Sequence, residues 1–340
     1  MKRLSLKIVM IFVFAGFFTA CNESLVDQQE TDNLVLKSGQ KEMQTYIVLL
    51  DDSELNLELP GMKGHEQRKK AVQKASVKIL ERAGILDGEV RHVYGTAVKG
   101  FSVKIPPGQL RKLENDPSVV HIEKNQSVTL IEPGKVEINE LESSATDDIP
   151  WGILRVGGGT SGYSGAGIAW IIDTGIDLDH PDLNVDESRG FTAFTIGRDK
   201  NMNDGNGHGT HVAGTVAALI NDLGVVGVAP GATVIPVKVL DSRGSGSYDG
   251  VIAGVDHVAA NGSAGDVANM SLGGPVSETL DQAVEAAADA GIKFSLAAGN
   301  EGDDANNHSP ARANGTNIFT ISAMDSNDNF ASFSNFNNPP

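Results

Sequence analysis

The sequence predicts an α/β chain: a parallel sheet with helices on both faces, preceded by a small α+β domain of ferredoxin-like order. Three observations predict it. From residue 151 onward, short continuous apolar runs alternate with helical stretches, as in strands buried on both faces. Between residues 44 and 130 the elements instead read β-α-β-β-α-β, the split βαβ arrangement. The charge also breaks in two: residues 1–145 carry 19 Lys+Arg against 20 Asp+Glu, and residues 146–340 carry 8 against 24. An acidic second half argues against a nucleic-acid partner and suits a soluble surface with sites for cations.

Residues 1–21 hold Lys2, Arg3 and Lys7, then the apolar run Ile8 to Phe18, then Thr19-Ala20-Cys21. A basic start and an apolar run too short to span a bilayer read as an export signal. Ordinary signal peptidase disfavours Phe18 three residues before the cut, and the segment resembles a bacterial lipoprotein signal, with Cys21 as the lipidated residue. Membrane contact is then through that lipid alone, at the cell envelope or surface; plain secretion is the alternative. Cys21 is the only cysteine, which excludes an intramolecular disulfide, a thiolate zinc cluster and a cysteine nucleophile in the body of the protein. Residues 22–43 are polar and read as a flexible tether.

In the small domain, residues 44–130, Tyr46 to Leu50 is a strand. Gln67 to Arg82 is a helix with Ala71, Ala75 and Ile79 on one stripe, ended by Gly84. Val90 to Tyr94 and Gly100 to Ile105 are strands about Gly95, Gln109 to Asn115 is a short helix before Pro117, and Val119 to Glu123 is the last strand. Residues 131–146 are polar and unpatterned, a linker of the kind proteases cut, with the processing bond expected between about Glu142 and Asp148.

In the larger domain, residues 147–340, strands are expected at Ile168–Ile172, Thr233–Leu240, Val267–Leu272, Lys293–Ala298 and Ile318–Ala323, and helices at Ser247–Asn261 and Thr279–Ala290. The central stretch is Asn206-Gly207-His208-Gly209-Thr210-His211, which runs into Val212-Ala213-Gly214 and Val216-Ala217-Ala218. Glycines on both sides of His208 allow a sharp bend and leave the imidazole reachable. The small residues after it predict a helix buried on nearly every side. Three roles are open to His208 from this stretch: general base, metal ligand or core histidine.

Parallel sheets place their sites at the carboxyl ends of their strands. Asp173 follows Ile171-Ile172 there, and Asn300 follows Ala297-Ala298-Gly299. Each alone also reads as a cap or turn former.

The motifs IIDTGID, NGHGTHVAGT, VKVLDSRGSGS, NMSLGG, AAGNEG and ASFSNF together resemble the subtilisin family of serine endopeptidases, nearest its proteinase K-like and aqualysin-like members, over nearly all of residues 44–336. The gaps of 35 residues from Asp173 to His208 and 92 from His208 to Asn300 lie within a few residues of that family's own spacings. The stretches YIVL, GFSV and DPSVVHIE resemble the inhibitory propeptide that precedes such proteases. The resemblance implies a polypeptide substrate, a monomer and an autoinhibited precursor. It implies His208 as general base, Asp173 as the residue that orients it, and Asn300 as oxyanion donor. Gly244-Ser245-Gly246 and Ser271-Leu272-Gly273 are the implied substrate-binding edges, with Ala298 and Gly299 beside the pocket. It also implies a structural calcium held by Asp147, Asp182 and the loop of Leu219, Asn221, Leu223 and Val225; ordinary capping and turn chemistry is the alternative there.

No turn of the Gly-Thr-Ser-Met-Ala kind occurs in the sequence, so the nucleophile serine is expected to be absent from this chain, with the subtilisin-like sheet incomplete on its C-terminal side. Ser322, Ser332 and Ser334 are not expected to replace it. Two other functions stand beside the protease: a metalloenzyme using His208 and His211, weakened by the lack of an HEXXH pattern, and a non-catalytic binding or chaperone module.

Overall fold

The computed structural model describes residues 42–51, 64–131, 147–160 and 167–337. The chain divides into Met1–Glu42 and Met43–Pro340, and the second unit contains both the small domain and the larger sheet. The export signal with Cys21, most of the tether and most of the 131–146 linker lie outside the described residues.

The small domain is a four-stranded antiparallel sheet in the order β2-β3-β1-β4. Its strands are β1 (Gln44–Leu50), β2 (Glu89–Tyr94), β3 (Gly100–Ile105) and β4 (Val119–Lys124). Helix α1 (His65–Arg82) and the short α2 (Leu110–Glu114) accompany it. Val72 and Ile79 of α1 pack with Val48, Phe101, Val103 and Ile105 of the sheet in one apolar cluster. The α1 stripe therefore falls one position from the Ala71, Ala75, Ile79 line expected from the sequence, with Val72 buried in place of Ala71. The larger side chain takes the core position, because burying it stabilises by about 1.5–3 kcal/mol.

The sequence assigned no element to Ser127–Leu130, which forms a strand, β5. Then come a short helix α3 (Trp151–Arg155), β6 (Ile168–Asp173), the two-residue strands β7 (Asn184–Val185) and β8 (Phe191–Thr192), helix α4 (His208–Ala217) and β9 (Thr233–Lys238). They are followed by β10 (Ser245–Ser247), α5 (Tyr248–Asn261), β11 (Val267–Met270), β12 (Leu272–Pro275), α6 (Glu278–Asp289), β13 (Lys293–Ala297), β14 (His308–Ser309) and β15 (Ile318–Ile321). The main sheet runs β15-β13-β11-β6-β9-β7, with β8 also on β9, and all its pairings are parallel. Side chains of β6 alternate faces as a strand requires. Ala169 and Ile171 pack with Ala213 and Ala217 of α4 on one face. Trp170 and Ile172 pack with Val251, Val255 and Val284 of α5 and α6 on the other.

Two further expectations need correction. The strand expected over Val267–Leu272 is broken at Ser271: β11 belongs to the parallel sheet, while β12 turns away to pair antiparallel with β5 and β14. Helix α4 is not buried on nearly every side. Gly209, Ala213 and Ala217, spaced four apart, form its buried stripe. Its opposite side, with Thr210, His211, Gly214 and Thr215, lines an apolar groove of about 830 Å³ shared with Trp151 and Val228. The small side chains suit close approach to β6 and β9, and that approach needs one face only.

The small domain sits on α5 and on the first turn of α6 through carboxylates. Asp256 accepts the backbone N–H of Gly95, Thr96 and Ala97 at 2.9, 2.7 and 2.7 Å. Asp249 accepts from the Asn125 amide at 2.7 Å and the Ser102 hydroxyl at 3.1 Å. Glu123 of β4 accepts the backbone N–H and the hydroxyl of Thr279, both at 3.1 Å, at the first turn of α6, where a negative charge suits the helix dipole.

Candidate active site

The site is built where β6, α4 and β13 present their ends. Asp173 is the last residue of β6 and fully buried; its Oδ1 accepts the backbone N–H of Thr174 at 2.7 Å. His208 opens α4, and its Nδ1 lies 2.8 Å from Asp173 Oδ1 and 3.0 Å from Oδ2. With a carboxylate at that distance Nδ1 carries the proton and donates, which leaves Nε2 as the basic nitrogen.

The glycines about His208 have separate reasons. Gly207 holds φ 107°, a left-handed conformation that side chains disfavour. Gly209 faces the Asp173 loop, where a Cβ would lie 2.1 Å from the carbonyl oxygen of Gly175. The pair thus aims the imidazole and seats the helix against the strand that carries its partner.

Asn300 follows β13 and lines one cavity of about 340 Å³ together with His208, Ser271, Ala298, Gly299 and Ile131. A residue not singled out from the sequence holds its loop. Asn335, within the ASFSNF stretch, is fully buried. Its amide donates to Ala298 O at 3.0 Å and to Glu301 Oε2 at 2.7 Å, and its carbonyl accepts the N–H of Glu301 and Asp303 at 3.1 and 2.9 Å. All the hydrogen-bonding capacity of the side chain is spent on residues 298–303, which brackets Asn300. An asparagine in a polar, aromatic-spaced stretch was the available signal, but its partners lie 32 to 37 residues away.

Gly244-Ser245-Gly246 and Ser271-Leu272-Gly273 lie on either side of the chain's own β5. The sheet order is β10-β5-β12-β14. Ser245, Gly246 and Ser247 pair antiparallel with Thr129, Val128 and Ser127, while Leu272 and Gly273 pair with Leu130 and Thr129. Leu130 N–H donates to Gly244 O at 3.1 Å, and Ile131 N–H donates to Ser271 O at 3.3 Å. Residues 127–131 therefore cross the site as an extended strand, and Ile131 ends it inside the cavity that holds His208 and Asn300.

Ser322 and Ser334 also line that cavity, and both hydroxyls donate to the backbone oxygen of Asn335, at 2.9 and 3.1 Å. His211 opens instead onto the apolar groove with Trp151. His208 and His211 thus face different cavities, which removes the observation a two-histidine metal site would need.

Asp147, Asp182 and the 219–225 loop do come together. Leu219 N–H donates to Asp182 Oδ1 at 3.1 Å, and the N–H groups of Asn221 and Leu223 reach Asp147 Oδ1 at 3.2 and 3.3 Å. Asp148 bridges Val225. Burial pushes the Asp182 carboxyl above its usual range; the Leu219 N–H and Asn221 oppose this, and the charge of Asp147 adds to it. Among the described residues no group of three or more His, Cys, Asp or Glu is arranged for a metal. The oxygens of Asp147, Asp182 and Asn221 here accept backbone N–H groups, the last from Leu223 at 3.0 Å; carboxylate and amide oxygens are the donor type calcium takes.

Known proteins match this arrangement. The subtilase family profile matches residues 166–340 and the peptidase inhibitor I9 profile matches residues 45–131. The chain is 40% identical over 266 residues to the extracellular serine proteinase of Thermus sp. (strain Rt41A), covering 76% of this chain and 60% of that one. It is 38% identical over 263 residues to alkaline serine exoprotease A of Vibrio alginolyticus, covering 75% and 46%. Against subtilisin E of Bacillus subtilis it is 36% identical over 281 residues, covering 80% and 67%. The chain thus spans between about half and two thirds of the length of these relatives. On the matched sheet, the Asp173–His208 pair and the inhibitor-type domain ahead of them, the chain belongs to the subtilase family of serine peptidases.

Proposed function

We propose that this chain provides the general base, the orienting carboxylate and the oxyanion donor of an exported serine endopeptidase, together with the inhibitory propeptide that holds it as a precursor. One observation carries the reading: His208, paired to buried Asp173, opens onto the cavity that also takes Asn300, with an extended strand lying across it.

His208 Nε2 takes the proton from a serine hydroxyl as the oxygen attacks a peptide carbonyl. Asp173 holds the Nδ1–H tautomer and stabilises the imidazolium that forms. The Asn300 amide donates to the oxyanion of the tetrahedral intermediate. His208 then returns its proton to the departing amine, and water repeats the sequence on the acyl-enzyme. None of the serines in residues 1–340 is assigned as the nucleophile, so residues 1–340 alone are inactive in this reading.

The backbone pairing of residues 127–131 is the pairing an extended substrate adopts, with main-chain hydrogen bonds for affinity and alternate side chains for specificity. In that register Ile131 occupies the position just before the scissile bond and Leu130 the one before it. The bond after Ile131 is thus favoured for processing over one between about Glu142 and Asp148, and residues 44–131 remain as the inhibitor after the cut. Asp147, Asp182, Asn221 and the carbonyls of Leu219, Leu223 and Val225 are the groups that would hold a calcium ion, which would tie the segment after the linker to the 219–225 loop. A Cys21 lipid anchor at the cell envelope belongs to the same reading, with plain export as the coarser form.

The test has two arms. Protein extended to include a family-type serine is expected to hydrolyse peptides ending in Val-Thr-Leu-Ile before the cut and to mature with Glu132 as its first residue. Residues 1–340 alone are expected to resist a serine-directed fluorophosphonate probe. Stoichiometric labelling of residues 1–340, or an extended protein without peptidase turnover, overturns the reading.

A further inference from the structure

The loop that carries Asp173 and the loop that carries His208 meet at one carboxylate, Asp204, four residues before the histidine. Its Oδ1 accepts the backbone N–H groups of Asn206 and Gly207 and the Thr174 hydroxyl, each at 2.9 Å. Its Oδ2 accepts the Thr210 N–H at 3.0 Å and the Thr210 hydroxyl at 2.7 Å. Five donors converge on two oxygens. Burial pushes this carboxyl up, but the bonds from Gly207, Thr210 and Asn206 outweigh it and hold the group below its usual range, so it stays ionised.

Each donor belongs to one of the two loops. Thr174 is the neighbour of Asp173, and Gly207 and Thr210 bracket His208. The two threonine hydroxyls also relay outward: Thr174 Oγ1 accepts the Gly209 N–H and Thr210 Oγ1 accepts the Asp177 N–H, both at 2.9 Å. From beneath, the fully buried Lys238 donates to Thr174 O at 2.6 Å and Asn203 O at 3.2 Å, with Asp199 Oδ1 at 3.3 Å as its counter-ion. In the strand register Lys238 lies opposite Asp173 itself.

We propose that Asp204 is a positioning residue for the Asp173–His208 pair. Through Thr174 on one loop and Gly207 and Thr210 on the other, it sets the separation and tilt at which Nδ1 meets the carboxylate, and so the basicity of Nε2. It does this without touching substrate. The inference rests on the reading of His208 as general base. A helix cap would need one or two of these bonds; the link to Thr174 across to the other loop serves the pair. Catalytic groups work only within about 0.5 Å of the productive geometry, so a clamp joining the two loops bears directly on turnover.

The experiment uses residues 1–340 and follows the His208 imidazole by NMR, reading its titration midpoint and its Nδ1 proton resonance, beside the urea unfolding midpoint. Asp204→Ala is expected to lower the His208 midpoint by about 0.5–1 pH unit, because a looser Asp173 contact stabilises the imidazolium less. It is also expected to broaden or abolish the Nδ1 proton signal. Thr174→Val, which removes the hydroxyl that joins Asp204 to the other loop and also the acceptor of the Gly209 N–H, but leaves the Asp204 bonds to α4, should shift the midpoint in the same direction, with a lowered unfolding midpoint because that buried N–H loses its partner. If Asp204→Ala does not fold, Asp204→Asn decides, since it keeps the side-chain shape and one acceptor oxygen but turns an N–H toward the donors on one loop. A folded variant whose His208 midpoint and Nδ1 proton match the parent overturns the proposal and leaves Asp204 as a helix cap. These readouts do not depend on turnover: an extended protein without peptidase activity would sink the functional reading and leave this result standing.

Discussion

Replacing Asp256 by asparagine tests how the small domain is held. Asp256 is 1% exposed, and its carboxylate takes three backbone N–H groups from consecutive residues, Gly95, Thr96 and Ala97. Hydrogen bonds to a charged acceptor contribute about 1.5–3 kcal/mol each, and neutral ones about half that. Asparagine keeps one oxygen, able to serve Thr96 and Ala97, and turns an amide N–H toward the Gly95 N–H. One charge-assisted bond is lost, a buried donor is orphaned and two bonds are weakened, a cost of about 3 kcal/mol in docking. Since 1.4 kcal/mol is tenfold, the docked state becomes roughly a hundredfold less favoured. Amide hydrogen exchange reads this directly: Leu130 and Ile131, bonded to Gly244 and Ser271, are protected only while β5 is seated. Their exchange is expected to accelerate about a hundredfold in Asp256→Asn, while amides of β6 and β9 stay as slow as in the parent. Acceleration below about threefold refutes the reasoning.

Three further outcomes are expected. Gly209→Ala places a Cβ 2.1 Å from Gly175 O, so it should cost at least about 2–3 kcal/mol and lower the melting temperature by several degrees; an unchanged melting temperature means the helix and loop can part freely. Burial raises the Asp281 carboxyl to about 7 from an ordinary 3.8, with Ser309 and Arg312 opposing and Glu285 and Glu123 adding to the rise. The unfolded chain gives up this proton first, so the contribution is full below about pH 4 and lost by about pH 7, up to roughly 4 kcal/mol. Urea midpoints of Asp281→Asn should therefore fall less than those of the parent between pH 4 and pH 7, and parallel curves would count against it. Chelator should lower the melting temperature of the parent, where calcium at a hundred times its Kd adds about 2.7 kcal/mol, and should leave Asp182→Asn unmoved; a parent insensitive to chelator removes the calcium reading.

Much of the site was legible because its residues are marked locally. Asp173 and Asn300 each end a strand that reads as a continuous apolar run, and Gly207 and Gly209 flank His208 for reasons of backbone conformation and close approach that a sequence can display. Most strands of the main sheet were legible for the same reason: buried on both faces, they carry unbroken apolar residues. The α1 stripe was misjudged by one position because alanine and valine both fit a helix, and only the facing sheet selects between them. The open side of α4 was not legible either, since small residues signal close packing without saying on how many sides.

The roles of Asp204 and Asn335 were hidden for a different reason. A carboxylate with five donors and an amide with four bonds look like any Asp or Asn in a polar stretch until the loops they join are folded together. The same holds for Ser127–Leu130. Its four residues carry no pattern that separates a strand from linker, and its partners lie more than a hundred residues downstream.

The sequence by itself determined the parallel sheet, the small domain before it, and that Asp173, His208 and Asn300 stand at strand and helix ends as candidates for one site, because apolar periodicity and backbone-special glycines are written residue by residue. Only the tertiary structure decided that residues 127–131 lie between β10 and β12 with Ile131 against the site. Main-chain hydrogen bonds are nearly blind to side-chain identity, so which edge a short strand joins, and in what register, is settled by where the two domains hold their edges.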